Sequence, residues 1–142
     1  MGIESVVSSI YHNSFNIKFA IISAGFNGPI AAVVNHNHSS LEMVTAGVTQ
    51  SITSFISTGF TARLVQHFSP IENRYFSYFF GSTIPAATTF LLSYTGHYLN
   101  DTPEALYSCF APTMISLTTS LITNYITRRG YMLPKNYPKK VL

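Results

Sequence analysis

The chain has 142 residues, of which 9% are charged and 14% aromatic, a formal net charge of +3 and one cysteine. Soluble domains carry about 25% charged residues, so this composition argues against an ordinary water-facing surface, and the length leaves no room for a separate soluble catalytic domain. The lone Cys109 rules out an internal disulfide, and its apolar window suits a packed thiol rather than a reactive one.

At the N-terminus, Met1-Gly2-Ile3-Glu4 puts an acid where a cleavable signal would be positive, so no such signal is expected. Val6 stands where N-myristoylation wants Ser or Thr, which discounts that reading too. Ile3, Val6, Val7 and Ile10 fall at helical spacing and predict a short interfacial helix within residues 1–15.

Four windows follow, 19–41, 43–62, 75–100 and 105–127, that contain no Asp, Glu, Lys or Arg. Each is long enough to cross the roughly 30 Å hydrocarbon layer, which takes about 20 helical residues. They predict an all-α integral membrane bundle, one domain over residues 1–142, with spans at about 17–35, 41–63, 72–98 and 103–127 and a basic tail at 128–142. The modest mean hydropathy of +0.23 reflects spans rich in Ser and Thr rather than Leu, which keeps a soluble helical protein as the alternative.

Basic residues set the orientation. Lys18 precedes the first span, Arg63 and Arg74 bracket the second link, and Arg128, Arg129, Lys135, Lys139 and Lys140 follow the fourth span, while the other two links hold no Lys or Arg. Both termini are therefore expected in the cytoplasm. The same cations form an expected anionic-lipid surface, with Arg63, Arg74, Arg128 and Arg129 at headgroup level. No folded basic surface is available for nucleic acid.

Helix starts are marked by Ser39 to Glu42, Ser69 to Glu72 and Asp101 to Glu104, each a capping side chain three residues before a Glu. Pro70 and Pro103 sit near the start, where a missing N–H does no harm. Inside the spans, Pro29 and Pro85 are expected to kink their helices and to release the carbonyls of Gly25 and Gly81. Asn27 lies beside the first of these breaks.

Small polar residues form stripes on the even spans: Gly47, Gln50, Ser54, Ser57 and Thr61 on the second, and Ser108, Pro112, Ser116, Thr119, Thr123 and Thr127 on the fourth. Such stripes let membrane helices approach closely and hydrogen-bond across the contact. Alternatively they line a polar path, for which Asn27, Gln50, Ser54, Ser116 and Thr119 are the candidate ligand-binding residues.

Sliding the chain by 66 positions sets 53–63 over 119–129 with five identities in eleven, so the chain also reads as two related helical hairpins. Because each hairpin crosses twice, the copies would share orientation.

His36, His38 and His97 lie toward one side of such a bundle and could together hold a metal ion. No other cofactor is expected, and no window carries a catalytic signature such as Gly-x-Ser-x-Gly. Asn37-His38-Ser39 and Asn100-Asp101-Thr102 are glycosylation sequons, and the terminal Lys139-Lys140-Val141-Leu142 has dilysine form. These matter only in a eukaryotic endoplasmic reticulum. The short links favour a bacterial inner membrane.

The leading expectation is a multi-pass, non-enzymatic subunit, scaffold or assembly factor, self-associating or held in a larger membrane complex. Next comes a carrier or channel for a small polar or lipid-like molecule. A metal-dependent membrane enzyme stands third.

Overall fold

The computed structural model describes residues 17–132, and they form four helices: α1 (Ile17–Val34), α2 (Ser40–Phe68), α3 (Arg74–Leu99) and α4 (Ala105–Met132). The expected interfacial helix at 1–15 and the lysines of the tail lie outside the described residues. Links of five residues each, 35–39, 69–73 and 100–104, join the helices. Links this short make successive helices antiparallel neighbours. Accordingly α1 packs on α2, α2 on α3 and α3 on α4, while α4 also meets α2 and α1 to close a four-helix bundle.

Local chemistry explains the boundaries, though not always in the expected way. At the start of α2 the capping box forms: the Ser39 hydroxyl accepts the Glu42 N–H at 3.3 Å, and Glu42 Oε2 accepts the Ser39 N–H at 2.9 Å. Ser69 does not open the third helix. It ends α2 instead, in αR backbone, with its hydroxyl donating to the Val65 carbonyl at 2.7 Å. Asn73 takes over as the cap of α3, accepting the Tyr75 and Phe76 amides. At α4 the cap comes from far away in sequence, because Asn35 Oδ1 accepts the Glu104 N–H at 3.1 Å. Asp101 lies in left-handed backbone, φ 48°, and makes the turn out of α3, with its N–H donating to the Tyr98 carbonyl.

Side chains are sorted opposite to a water-soluble core. Among the described residues the buried apolar side chains are small, Ala20, Ala31, Ala46, Ala86, Cys109 and Val65. Asn27, Asn35, Gln50, Ser93, His97 and Asn124 are buried with them. Large apolar residues face outward on every helix, for example Ile22 at 66%, Val48 at 53%, Phe79 at 59% and Phe110 at 68% exposure. In a soluble protein the ranking runs the other way.

Small residues set the helix separation. A Cβ on Gly28 would lie 2.9 Å from the Gly47 carbonyl oxygen and closer still to the Ser51 hydroxyl, so α1 and α2 touch backbone to backbone there. Both α1 and α3 run unbroken through Pro29 and Pro85. Two helices, α1 and the Ala105–Arg129 stretch of α4, are long and apolar enough to cross a membrane. Gln, Ser, Thr, Gly and His dilute the charge-free windows of α2 and α3 and keep them less apolar.

Candidate functional site: a buried polar seam

On α3 the buried positions Ser77, Gly81, Pro85, Thr89, Ser93 and His97 recur every four residues. On α4, Ser108, Pro112, Ser116, Ser120, Asn124 and Arg128 do the same. Rows at i±4n are natural packing ridges, so the two polar rows run along the inside of the bundle rather than around it.

Hydrogen bonds knit these rows into three clusters. The first centres on Gln50, which is fully buried. Its Nε2 donates to Ser54 Oγ at 2.8 Å and to Ser93 Oγ at 3.2 Å, which leaves Oε1 to accept from His97 Nε2 at 2.9 Å. That arrangement places the imidazole proton on Nε2, and Nδ1 then accepts the Thr102 hydroxyl at 3.1 Å. Both ring nitrogens are engaged, and α2, α3 and the last link are tied together.

The second cluster lies at the same end. Asn35 Nδ2 donates to Ser108 Oγ and to the Ala31 carbonyl, both at 2.9 Å, while its Oδ1 caps α4. One amide therefore joins the end of α1 to the start of α4.

The third cluster sits at the 69–73 link. Asn124 Nδ2 donates to the Ser77 carbonyl at 2.7 Å, and the Ser77 hydroxyl donates to Asn124 Oδ1 at 3.2 Å. Arg128 Nη1 donates to the carbonyls of Ser69 and Ile71 at 2.8 and 2.7 Å, with Nη2 3.5 Å from that of Glu72. These are among the carbonyls a helix leaves without partners at and after its C-terminus. Between the clusters, Thr89 donates to Ser116 at 3.0 Å.

The chain matches no family model, no curated protein and no solved structure.

The expected ligand-binding residues fall in three different settings. Gln50, Ser54 and Ser116 lie in the seam. Asn27 is buried on α1, its Nδ2 donating to Ser23 Oγ at 3.0 Å, with no partner for Oδ1 among the described residues. Thr119 is exposed and donates back to the Ile115 and Ser116 carbonyls, so the stripe on α4 follows Ser120 and Asn124 rather than Thr119 and Thr123. Ser120 Oγ is likewise buried without a partner among the described residues.

The three candidate metal ligands are not brought together. His97 is inside, whereas His36 and His38 are exposed in the first link, His36 Nδ1 against the Val33 carbonyl at 2.7 Å and His38 against Glu104 at 3.4 Å. Among the described residues no three His, Cys, Asp or Glu side chains gather as a ligand set.

Of the basic residues expected at headgroup level, Arg63, Arg74 and Arg129 are exposed, the last two over the Tyr75 and Tyr125 rings at 5.5 and 4.7 Å. Arg128 is only 8% exposed and serves backbone carbonyls instead. The second sequon is also committed: Thr102 bonds to His97, and Asn100 Nδ2 donates to the Gly96 carbonyl.

Proposed function

We propose that all four helices cross a bilayer, with both termini cytoplasmic, and that the protein is a non-enzymatic structural subunit or assembly factor of a membrane complex. The observation that carries this reading is the inversion of side chains: amides, hydroxyls and an imidazole inside, with Phe, Ile, Val and Leu outside on every helix. Outward apolar surface of that extent is unfavourable in water and natural in lipid. Inside, small residues and Ser, Thr and Gln are what hold membrane helices together, each hydrogen bond contributing about 0.6 kcal/mol and seldom above about 1.7. On this reading α2 and α3, which are less apolar as sequences, insert because their polar side chains are satisfied by one another.

Orientation follows the basic residues, with Arg74 and Arg129 exposed near the 69–73 link and at the end of α4 to meet anionic headgroups. A bacterial inner membrane is the favoured location.

A second reading, a carrier for a small polar molecule, is favoured by one observation. Asn27 Oδ1 and Ser120 Oγ are buried polar atoms without partners among the described residues. Gln50→Leu separates the two functions. Loss of assembly or of co-purifying partners without a solute phenotype supports the structural role, whereas intact assembly with lost uptake supports the carrier.

A further inference from the structure

A groove of about 350 Å³ runs between α2 and α3 on the outer surface, from Val44 and Asn100 at the helix ends down to Ile52. Eight residues separate Val44 from Ile52, a depth of about 12 Å, close to the roughly 15 Å half-thickness of the hydrocarbon layer. Gly96 opens it. A Cβ at that position would lie 2.6 Å from the Thr53 methyl and 3.2 Å from the Thr49 methyl, so the two threonines flank the glycine with carbon rather than oxygen. The Thr53 hydroxyl is turned to the Thr49 and Gln50 carbonyls at 3.0 and 3.2 Å. The floor is therefore apolar although threonines form it, and the walls are Val44, Val48 and Ile52. Thr45 is the further polar residue along its length, and Asn100 lies at the mouth.

In the sequence around the mouth the formal charges are acidic. Asp101 follows Asn100 directly and Glu42 precedes Val44 by two residues, while Lys and Arg are absent from 19–62 and from 75–127. Anionic headgroups are repelled there, and a headgroup ending in a cation is attracted.

We propose that this groove binds one acyl chain of a zwitterionic phospholipid, with the headgroup amine beside Asp101 and Glu42; the assignment rests on the four-span reading. A partner helix is a poorer occupant, since two turns of contact are all the groove offers it.

The chain contains no Trp, so a single introduced one reports on lipid contact. Ile52→Trp places it in the groove, and Thr118→Trp places it on the exposed face of α4 at a comparable depth. Reconstitution in vesicles with brominated phosphatidylcholine or brominated phosphatidylglycerol then measures quenching. We expect Ile52→Trp to be quenched at lower mole fraction than Thr118→Trp, with a preference for the choline lipid on the order of fivefold. Adding Val48→Phe, which fills the groove, should abolish that preference and leave quenching like that of Thr118→Trp.

Equal quenching of both reporters in inserted protein overturns the site, as does a preference for the glycerol lipid. An Ile52→Trp shielded from both lipids overturns it in favour of a protein occupant. A chain that stays in the aqueous phase overturns the bilayer reading as well, which distinguishes the two failures.

Discussion

Arg128 shows how one side chain changes meaning between sequence and fold. As a sequence feature it is half of the Arg128-Arg129 pair beside a charge-free window, which reads as a headgroup anchor. In the fold it reaches across to the carbonyls of Ser69 and Ile71 and covers the end of α2, with the Tyr78 ring 5.9 Å from its guanidinium. Hydrogen bonds from a charged donor contribute about 1.5–3 kcal/mol. Arg128→Met should therefore lower the melting temperature in detergent markedly, while Arg129→Met, whose side chain is exposed over Tyr125, should change it little. Equal effects of the two substitutions would remove the capping role. Gln50 is the companion case at the other end, where one amide serves Ser54, Ser93 and His97 and no other side chain of that size supplies two donors and an acceptor together.

Between helices, contact is governed by what is missing from side chains. Gly28→Ala pushes a methyl toward the Gly47 carbonyl, a backbone atom that yields only if α1 and α2 separate. Overpacking of this kind costs about 1–3 kcal/mol. Gly81→Ala displaces the Asn124 amide from its place against Ser77 and should be destabilising too. Gly25→Ala is the control, since no atom beyond its own helical turn lies within 4 Å of its added Cβ, and helix propensity favours Ala by up to about 1 kcal/mol. Thermal unfolding in detergent should rank Gly28→Ala below wild type and Gly25→Ala at or above it.

Much of this level was legible in advance. Helix positions follow from the charge-free windows, and the Ser39–Glu42 box forms as its spacing implies. The caps of α3 and α4 were not legible: Pro70 and the Ser69 hydroxyl favour ending α2, and Asn35 reaches α4 only after the chain has folded back. On α4 the expected stripe holds at Ser108, Pro112, Ser116 and Thr127 and departs at Thr119 and Thr123 for a related reason. Steps of three and four look equivalent in sequence, whereas packing against α3 selects the strict four-residue row through Ser120 and Asn124. The same rule applied to α3 would have found Ser77, Ser93 and His97 as one set.

For the molecule as a whole, the question is how a chain with amides and hydroxyls inside and aromatics outside lives in its solvent. Sequence hydropathy alone singles out α1 and α4, which allows a two-crossing arrangement with α2 and α3 outside the bilayer. The exposed apolar residues of α2 and α3, Val48, Ile52, Phe76, Phe79 and Leu91 among them, argue that these helices share the same apolar surroundings. The two arrangements differ in where the links lie. Four crossings put the 35–39 and 69–73 links on opposite faces of the membrane, whereas two crossings by α1 and α4 put them on the same face.

Labelling with an impermeant thiol reagent in sealed vesicles decides this, using Cys109→Ser as background and single cysteines at the exposed Asn37 and Glu72. With four crossings, Asn37→Cys and Glu72→Cys react from opposite sides of the membrane. Reaction of both from the same side, or of both without any membrane barrier, would contradict that arrangement.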